Sequence, residues 1–409
     1  MAQDESIPGR STRDSKSVFS RYQAEYEDLV EVGFDGHSTD VELEVTEDGG
    51  DDRITAPFDP DRIDIQTRNT TVDLLLSRLQ QDMIDLAPDF QRKAGIWTDD
   101  RQSRLIESLL LRIPIPSFYA AEQHNGEWAI VDGIQRLTAI TRFIAHGAIG
   151  ATPLRLTGLE YLSGFDGMEY GDLSGRLQIR LRETEVVVHL IRRGTPEEVM
   201  FNIFARINTG GLPLTRQEIR HALIPGRARG VLAELADSEP FLLATGGTVS
   251  GERMADREMV LRFLAFRMTP PGGFRQQDFD AFLAASMRAV NKWSTGEEAD
   301  HRAAFARAMG VAQSLFGRSG FRKQRRGQTR RSPINKALFE AMSVTFAGLS
   351  PDQTELLASR ADDVVESFHD LMNDIEFERS ISVGTGDPAK VRYRFDAINK
   401  LVQGVLASA

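Results

Sequence analysis

From about residue 250 to the C-terminus the apolar residues recur only at helical spacing, which confines the second half of the chain to an all-helical unit. One predicted helix carries Val260, Phe263, Leu264 and Arg267, and another Phe279, Phe282, Leu283 and Val290. More follow near 299–316, 334–347, 352–378 and 388–407. Upstream the pattern is mixed. A short alternating run at Ile63–Ile65 and compact apolar runs at Trp128–Val131 and Val186–Ile191 read as strands, and helices are predicted between them. One starts at Thr71 and buries Leu74, Leu75, Leu79 and Met83. A second is capped by Thr98, with Asp99 and Asp100 favourable in its first turn. A third runs from about Gln135 to Ala145. Thr195 with Glu198, and Thr215 with Glu218, form capping boxes at two further helix starts. The expected fold is therefore α+β: a mixed α/β domain over 61–225, then a helical domain over 226–409.

Residues 1–60 are expected to form an acidic, flexible arm. Large apolar groups are few there, and burial cannot offset chain entropy. A short strand at Val41–Val45 is the one regular element expected. The arm and the helical domain are opposite in charge. Glu25–Asp52 holds twelve acids without a Lys or Arg, while Arg318–Arg331 holds seven bases without an acid. The net charge of -11 argues against broad nucleic-acid affinity, but this segregation reopens it. Arg318, Arg322, Lys323, Arg325, Arg326, Arg330 and Arg331 can follow a DNA backbone, form a solvated loop, or latch the acidic arm.

The chain has no cysteine, which excludes disulfides and thiolate metal sites. No apolar run nears the roughly 18 residues of a spanning helix, and no signal peptide opens the chain, so a cytoplasmic protein without a membrane partner is expected. The seven histidines show no zinc-helix spacing, and there is no P-loop.

The chemistry concentrates at Asp132-Gly133-Ile134-Gln135-Arg136, where a strand turns into a helix. A helix N-terminus offers unpaired N–H groups to a phosphate, Gly133 permits close backbone approach, and Arg136 adds a forked cation. Asp132 can hold a metal or orient water. The same residues also suit an ordinary turn in which Arg136 pairs with Asp132, and both readings stay open.

Four segments together closely resemble the GmrSD N-terminal-domain family: Pro88–Trp97, Arg104–Pro116, Trp128–Phe143 and Phe204–Ala222. The family's Asp-Gly-Gln-Gln-Arg-Leu-Thr run stands here as Asp132 to Thr138, with Ile134 in place of the first glutamine. Its Pro-Asp-Phe-Gln-Arg and Trp stand at Pro88–Arg92 and Trp97, and its Phe-x-Arg-Ile-Asn-Thr-Gly-Gly at Phe204–Gly211. The resemblance implies a ParB/sulfiredoxin-like domain that binds a nucleoside triphosphate, in some members with hydrolysis and Mg²⁺, in systems that restrict foreign DNA. It assigns Asp132, Gln135 and Arg136 as the catalytic set. Gln91, Arg92, Trp97, Arg104, Ser108, Gly133, Thr138, Arg206, Asn208 and Thr209 make the expected nucleotide-binding set. No His–Asn–His nuclease motif occurs, so DNA and a separate nuclease or other defence subunit are the expected partners, with a homo-oligomer left open. The first reading is a nucleotide-binding, DNA-sensing subunit. The second is a non-enzymatic DNA-binding or regulatory protein. The third is a metal-dependent nuclease using Asp132 and Glu107.

Overall fold

The structure is a computed structural model that describes residues 29–32, 38–44, 62–86, 97–123, 125–206, 214–275 and 278–408. The α+β expectation holds: a five-stranded sheet is built from the first half of the chain, and helices fill the second. The sheet comprises β3 (Ile65–Thr71), β4 (Ile84–Asp85), β5 (Phe118–Glu122), β6 (Trp128–Asp132) and β7 (Glu185–Ile191). Its order is β3-β7-β5-β6-β4. The pairs β3/β7 and β5/β6 are antiparallel, while β7/β5 and β6/β4 are parallel.

Strand alternation splits the interior into two cores. Val186, Val188 and Leu190 of β7, with Trp128 and Ile130 of β6, join one cluster. That cluster is closed by α1 (Val72–Gln80), α2 (Asp99–Leu110) and α3 (Ile134–Ile144). Ala121, Val131 and Ile191 instead join the larger helical core. This face receives α6 (Arg216–Leu223), α7 (Arg227–Ala236) and α9 (Ala255–Met268), with α5 (Glu197–Arg206) leading in and α8 (Glu239–Thr245) between α7 and α9. The remaining helices are α4 (Gly175–Glu183), α10 (Phe279–Val290), α11 (Thr295–Phe316), α12 (Lys336–Ala347), α13 (Pro351–Ser359), α14 (Ala361–Leu371), α15 (Ile375–Ser382) and α16 (Pro388–Ala407).

Helix starts follow the cap residues. The hydroxyls of Thr71, Thr98 and Thr215 accept first-turn N–H groups, and the Thr215–Glu218 box is complete in both directions. Thr195 turns its hydroxyl to the backbone N–H of Asp64 at 3.0 Å, tying α5 to β3; the Glu198 side chain lies outside the described residues. Leu74 is half exposed, and Val72, Leu75, Leu76 and Leu79 form the buried face of α1 instead. The predicted helix at 352–378 is three helices. Asp374 stops the run by accepting the N–H groups of Glu376 and Phe377, and Arg360 leaves helical geometry at the other break.

The acidic arm is corrected over part of its length. Residues 29–32 and 38–44 carry a hairpin of β1 (Val30–Val32) and β2 (Ser38–Glu42), not an arm free of the helical unit, and the predicted strand at Val41–Val45 starts three residues earlier. Val41 is fully buried in the helical core. Two backbone bonds at 2.8 Å, from Glu42 N–H to the Ile334 carbonyl and from Ile334 N–H to the Asp40 carbonyl, extend the hairpin onto the segment before α12. The burial of its carboxylates follows from basic partners far along the chain, which local composition does not reveal.

Candidate functional site

At the end of β6, a central strand, Asp132 leads into Gly133, which caps α3 in the left-handed region at φ +96°. A side chain there would be strained by that φ, and its Cβ would lie 2.5 Å from Phe118 Cδ1. The glycine is therefore required by the turn and by the Phe118 ring. Gly133 offers no side chain to cap α3, so the first-turn N–H groups of Ile134, Gln135 and Arg136 receive no side-chain cap, unlike those of α2 and α6. Arg136 lies beside them. Its Nη2 donates to Asp132 Oδ2 and to the Ser117 carbonyl, both at 3.0 Å, and the guanidinium sits 5.6 Å from the Phe118 ring centroid. Arg136 Nε is buried without a hydrogen-bond partner among the described residues. The pairing that the residues alone left open is thus present, and it orients the guanidinium at the mouth of the turn.

Trp97 joins this turn: its backbone N–H donates to Gln135 Oε1 at 3.4 Å, and Arg101 lies 4.6 Å over its ring. Asp132, Gly133, Gln135, Arg136 and Trp97 therefore assemble in one place. Thr138 spends its hydroxyl on the Ile134 carbonyl at 2.8 Å. Arg104 faces another way, bonding the Gly158 carbonyl and pairing with Glu160 at 3.1 Å, while Ser108 donates to the Arg104 carbonyl. Gln91, Arg92, Asn208, Thr209 and the side chain of Arg206 lie outside the described residues. Ile134 is buried in the apolar cluster of α1–α3, so the side chain that departs from the family pattern is a packing residue.

Glu107 does not join Asp132. Its carboxylate accepts the N–H groups of Glu160, Tyr161 and Leu162 at 2.7–3.0 Å and so folds the 158–162 loop onto α2. Burial pushes its pKa up, but the three N–H groups and Arg104 outweigh that and hold it below the usual carboxylate range. Among the described residues no group of three or more His, Asp or Glu side chains could hold a metal ion.

The family model described as GmrSD restriction endonuclease, N-terminal domain, matches residues 73–225. Residues 73–225 belong to that family. No curated protein and no solved structure matches the chain. The GmrSD domain thus runs from α1 through α6 and contains the whole Asp132–Arg136 turn. No helix of the described residues is long and apolar enough to cross a membrane.

The basic run lies outside the GmrSD domain and divides in two. Arg322 is fully buried and bonds Asp40 of the hairpin at 2.6 Å, Thr248 and the Ser332 carbonyl. Lys323 is buried between Glu42 at 2.6 Å and Ser382 at 2.8 Å. Arg325 pairs with Glu378, and Arg326 with Glu366 and Asp370. Arg318, Arg330 and Arg331 are exposed. Sequence reasoning missed the interior polar positions Gln217, Arg220 and His221 of α6 and Arg257 of α9. The available signal was charge on every face of the 255–268 helix, which a helix buried on one side alone would not carry.

Proposed function

We propose that the chain is a cytoplasmic nucleotide-binding, DNA-sensing subunit of a restriction or defence system, with the phosphates of a nucleoside triphosphate seated on the Asp132–Arg136 turn. The observation that carries this reading is the uncapped N-terminus of α3 with Arg136 held beside it. Unpaired N–H groups and the helix dipole favour an anion there, and a guanidinium adds charge-assisted bonds. The membership of residues 73–225 in a restriction-endonuclease family supports the system to which the turn belongs. Trp97, tied to Gln135, supplies an aromatic face that suits a base. A magnesium ion carried by the triphosphate would meet Asp132, whose carboxylate is engaged by Arg136.

A second reading, a regulatory DNA-binding protein without turnover, is favoured by one observation: Arg136 Nη2 is already committed to Asp132 and Ser117. Titration calorimetry with nucleoside triphosphates, with and without Mg²⁺, separates the two. Arg136→Ala is expected to weaken triphosphate binding by about ten- to a hundredfold, since charge-assisted bonds contribute roughly 1.5–3 kcal/mol. Equal binding by the variant and the parent protein would overturn the phosphate assignment.

A further inference from the structure

The junction between α6, α7 and α9 holds a second concentration of donors, independent of the Asp132–Arg136 turn. Glu218 fixes the geometry: its two oxygens receive Nε and Nη2 of Arg253, both at 3.1 Å, which locks α6 against the start of α9. One turn farther along, His221 on α6 and Arg257 on α9 are buried. Arg229 on α7 closes the third side, donating Nη1 to Asp85 at 2.6 Å and Nη2 to the Ala222 carbonyl at 3.0 Å. Several groups in this junction are buried and meet no hydrogen-bond partner among the described residues. They are Gln217 Nε2, both ring nitrogens of His221, Nε and Nη1 of Arg257, and Nε of Arg229. His221 is fully enclosed and Arg257 is 3% exposed.

The unmet groups have one chemical sense. The amide and guanidinium nitrogens are donors, and the imidazole becomes a double donor on taking a proton. Arginine does not shed its charge on burial, so a buried guanidinium calls for an anionic acceptor. Burial, with Arg229 and Arg257 beside it, holds the His221 imidazole neutral, its pKa pushed down to about 2. The neighbouring network shows the contrast. Arg220, one residue before His221, bonds Gln217 Oε1 at 2.9 Å and Asp280 at 2.5 Å, and Arg262 bonds Glu44 and Glu258. In those places the chain supplies its own acids. Around Arg257 Asp85 takes one nitrogen of Arg229, and the other donors stay unmet among the described residues.

We infer that Gln217, His221, Arg229 and Arg257 form a buried site for one phosphate group. Donors that converge from three helices suit a tetrahedral oxyanion, whose oxygens accept in several directions, better than a planar carboxylate. Inorganic phosphate and the phosphate chain of a nucleotide share this chemistry.

The test uses the full chain freed of phosphate by exhaustive dialysis. Thermal unfolding and calorimetry are followed with inorganic phosphate against sodium chloride at equal ionic strength, then with nucleoside triphosphates. Phosphate is expected to raise the Tm of the parent protein and of Arg136→Ala alike. Arg257→Met should weaken phosphate binding by about ten- to a hundredfold. Should Arg257→Met fail to fold, His221→Asn provides the same reading, and the parent protein's response stands by itself. Tighter binding of a triphosphate than of phosphate, lost in the same variants, marks the nucleotide chain as the source; equal or weaker binding marks the free ion. The site is overturned by no phosphate response beyond chloride, by an undiminished response in Arg257→Met, or by a response that disappears in Arg136→Ala.

Discussion

The sheet-bearing GmrSD domain and the helical unit use the same charged residues in opposite ways. In the GmrSD domain many ion pairs lie in water: Arg104–Glu160 has side chains 55% and 51% exposed, and Arg182–Asp73 has 42% and 56%. In the helical unit a set of pairs is interior, beside exposed ones such as Arg326–Glu366. Both side chains of Arg394–Glu340 are fully buried, as nearly are Lys323–Glu42 and Arg262–Glu258. Lys336 stands between Glu31 of the hairpin at 2.5 Å and Glu258 at 3.3 Å. Burial lowers the Lys336 pKa, yet Glu258 and Glu31 more than reverse that and hold it raised. Exposed pairs are screened and contribute little. Interior pairs fix the arrangement, because losing one partner strands the other away from water. The hydrophobic residues set where the helices lie; the buried charges set which helix faces which.

The largest expected effect tests that contrast directly. Glu340→Ala leaves Arg394 buried with its main acceptor gone and should lower unfolding free energy by about 3–5 kcal/mol. Urea denaturation measures it, and Glu160→Ala, on an exposed pair, should change stability by no more than about 1 kcal/mol. Similar losses for the two would erase the distinction between the regions.

Next comes Ile134→Gln. The polar amide would enter an apolar cluster without a partner, at a cost of about 1–3 kcal/mol, and no nucleotide turnover should appear. A rise in hydrolysis without a loss of stability would show that the side chain reaches the turn mouth.

A third effect is pH-dependent. The folded pKa of Glu107 lies below its ordinary value, so its ionised form stabilises the fold. That contribution is complete above the unfolded pKa of about 4.3 and is lost as pH falls through the folded value. Glu107→Gln should therefore cost about 1.5–3 kcal/mol at neutral pH, and the gap to the parent should close as the pH drops below about 4. Glu42 has the opposite sign: burial raises its pKa despite Lys323, so its ionisation weighs against the fold as pH rises through that raised value. Unfolding curves across pH for Glu107→Gln and Glu42→Gln should thus diverge in opposite directions, and parallel curves would refute both assignments.

The smallest stability effect belongs to the exposed bases. Replacing Arg318, Arg330 and Arg331 by Gln should alter stability by no more than about 0.5 kcal/mol each. If DNA uses this face, the slope of log affinity against log salt should shrink by about 2–3. An unchanged slope would remove these residues from a DNA contact.

Much of this was readable from local pattern. Thr71, Thr98 and Thr215 announced their helices because a cap acts within three residues. Asp132, Gly133 and Arg136 were readable because one turn brings them together. What stayed hidden depends on distance in sequence. Asp40 and Glu42 look like solvated acids, and their ion-pair partners Arg322 and Lys323 lie some 281 residues away. His221 and Arg257 also gave no signal, since neither helix alone shows that both point into one junction. Glu107 read as a potential metal ligand, although its acceptors serve backbone N–H groups some 53 residues later.

The hairpin also sets an order of events during synthesis. Glu31 is made before its partner Lys336, which follows 305 residues later. At about 5–20 residues per second, roughly 15–60 s separate the two on the ribosome. Throughout that interval the hairpin segment is made but lacks the surface that receives it. The GmrSD domain has its whole sequence well before then, so it can fold first, and the later closure joins a segment made before that domain to one made after it.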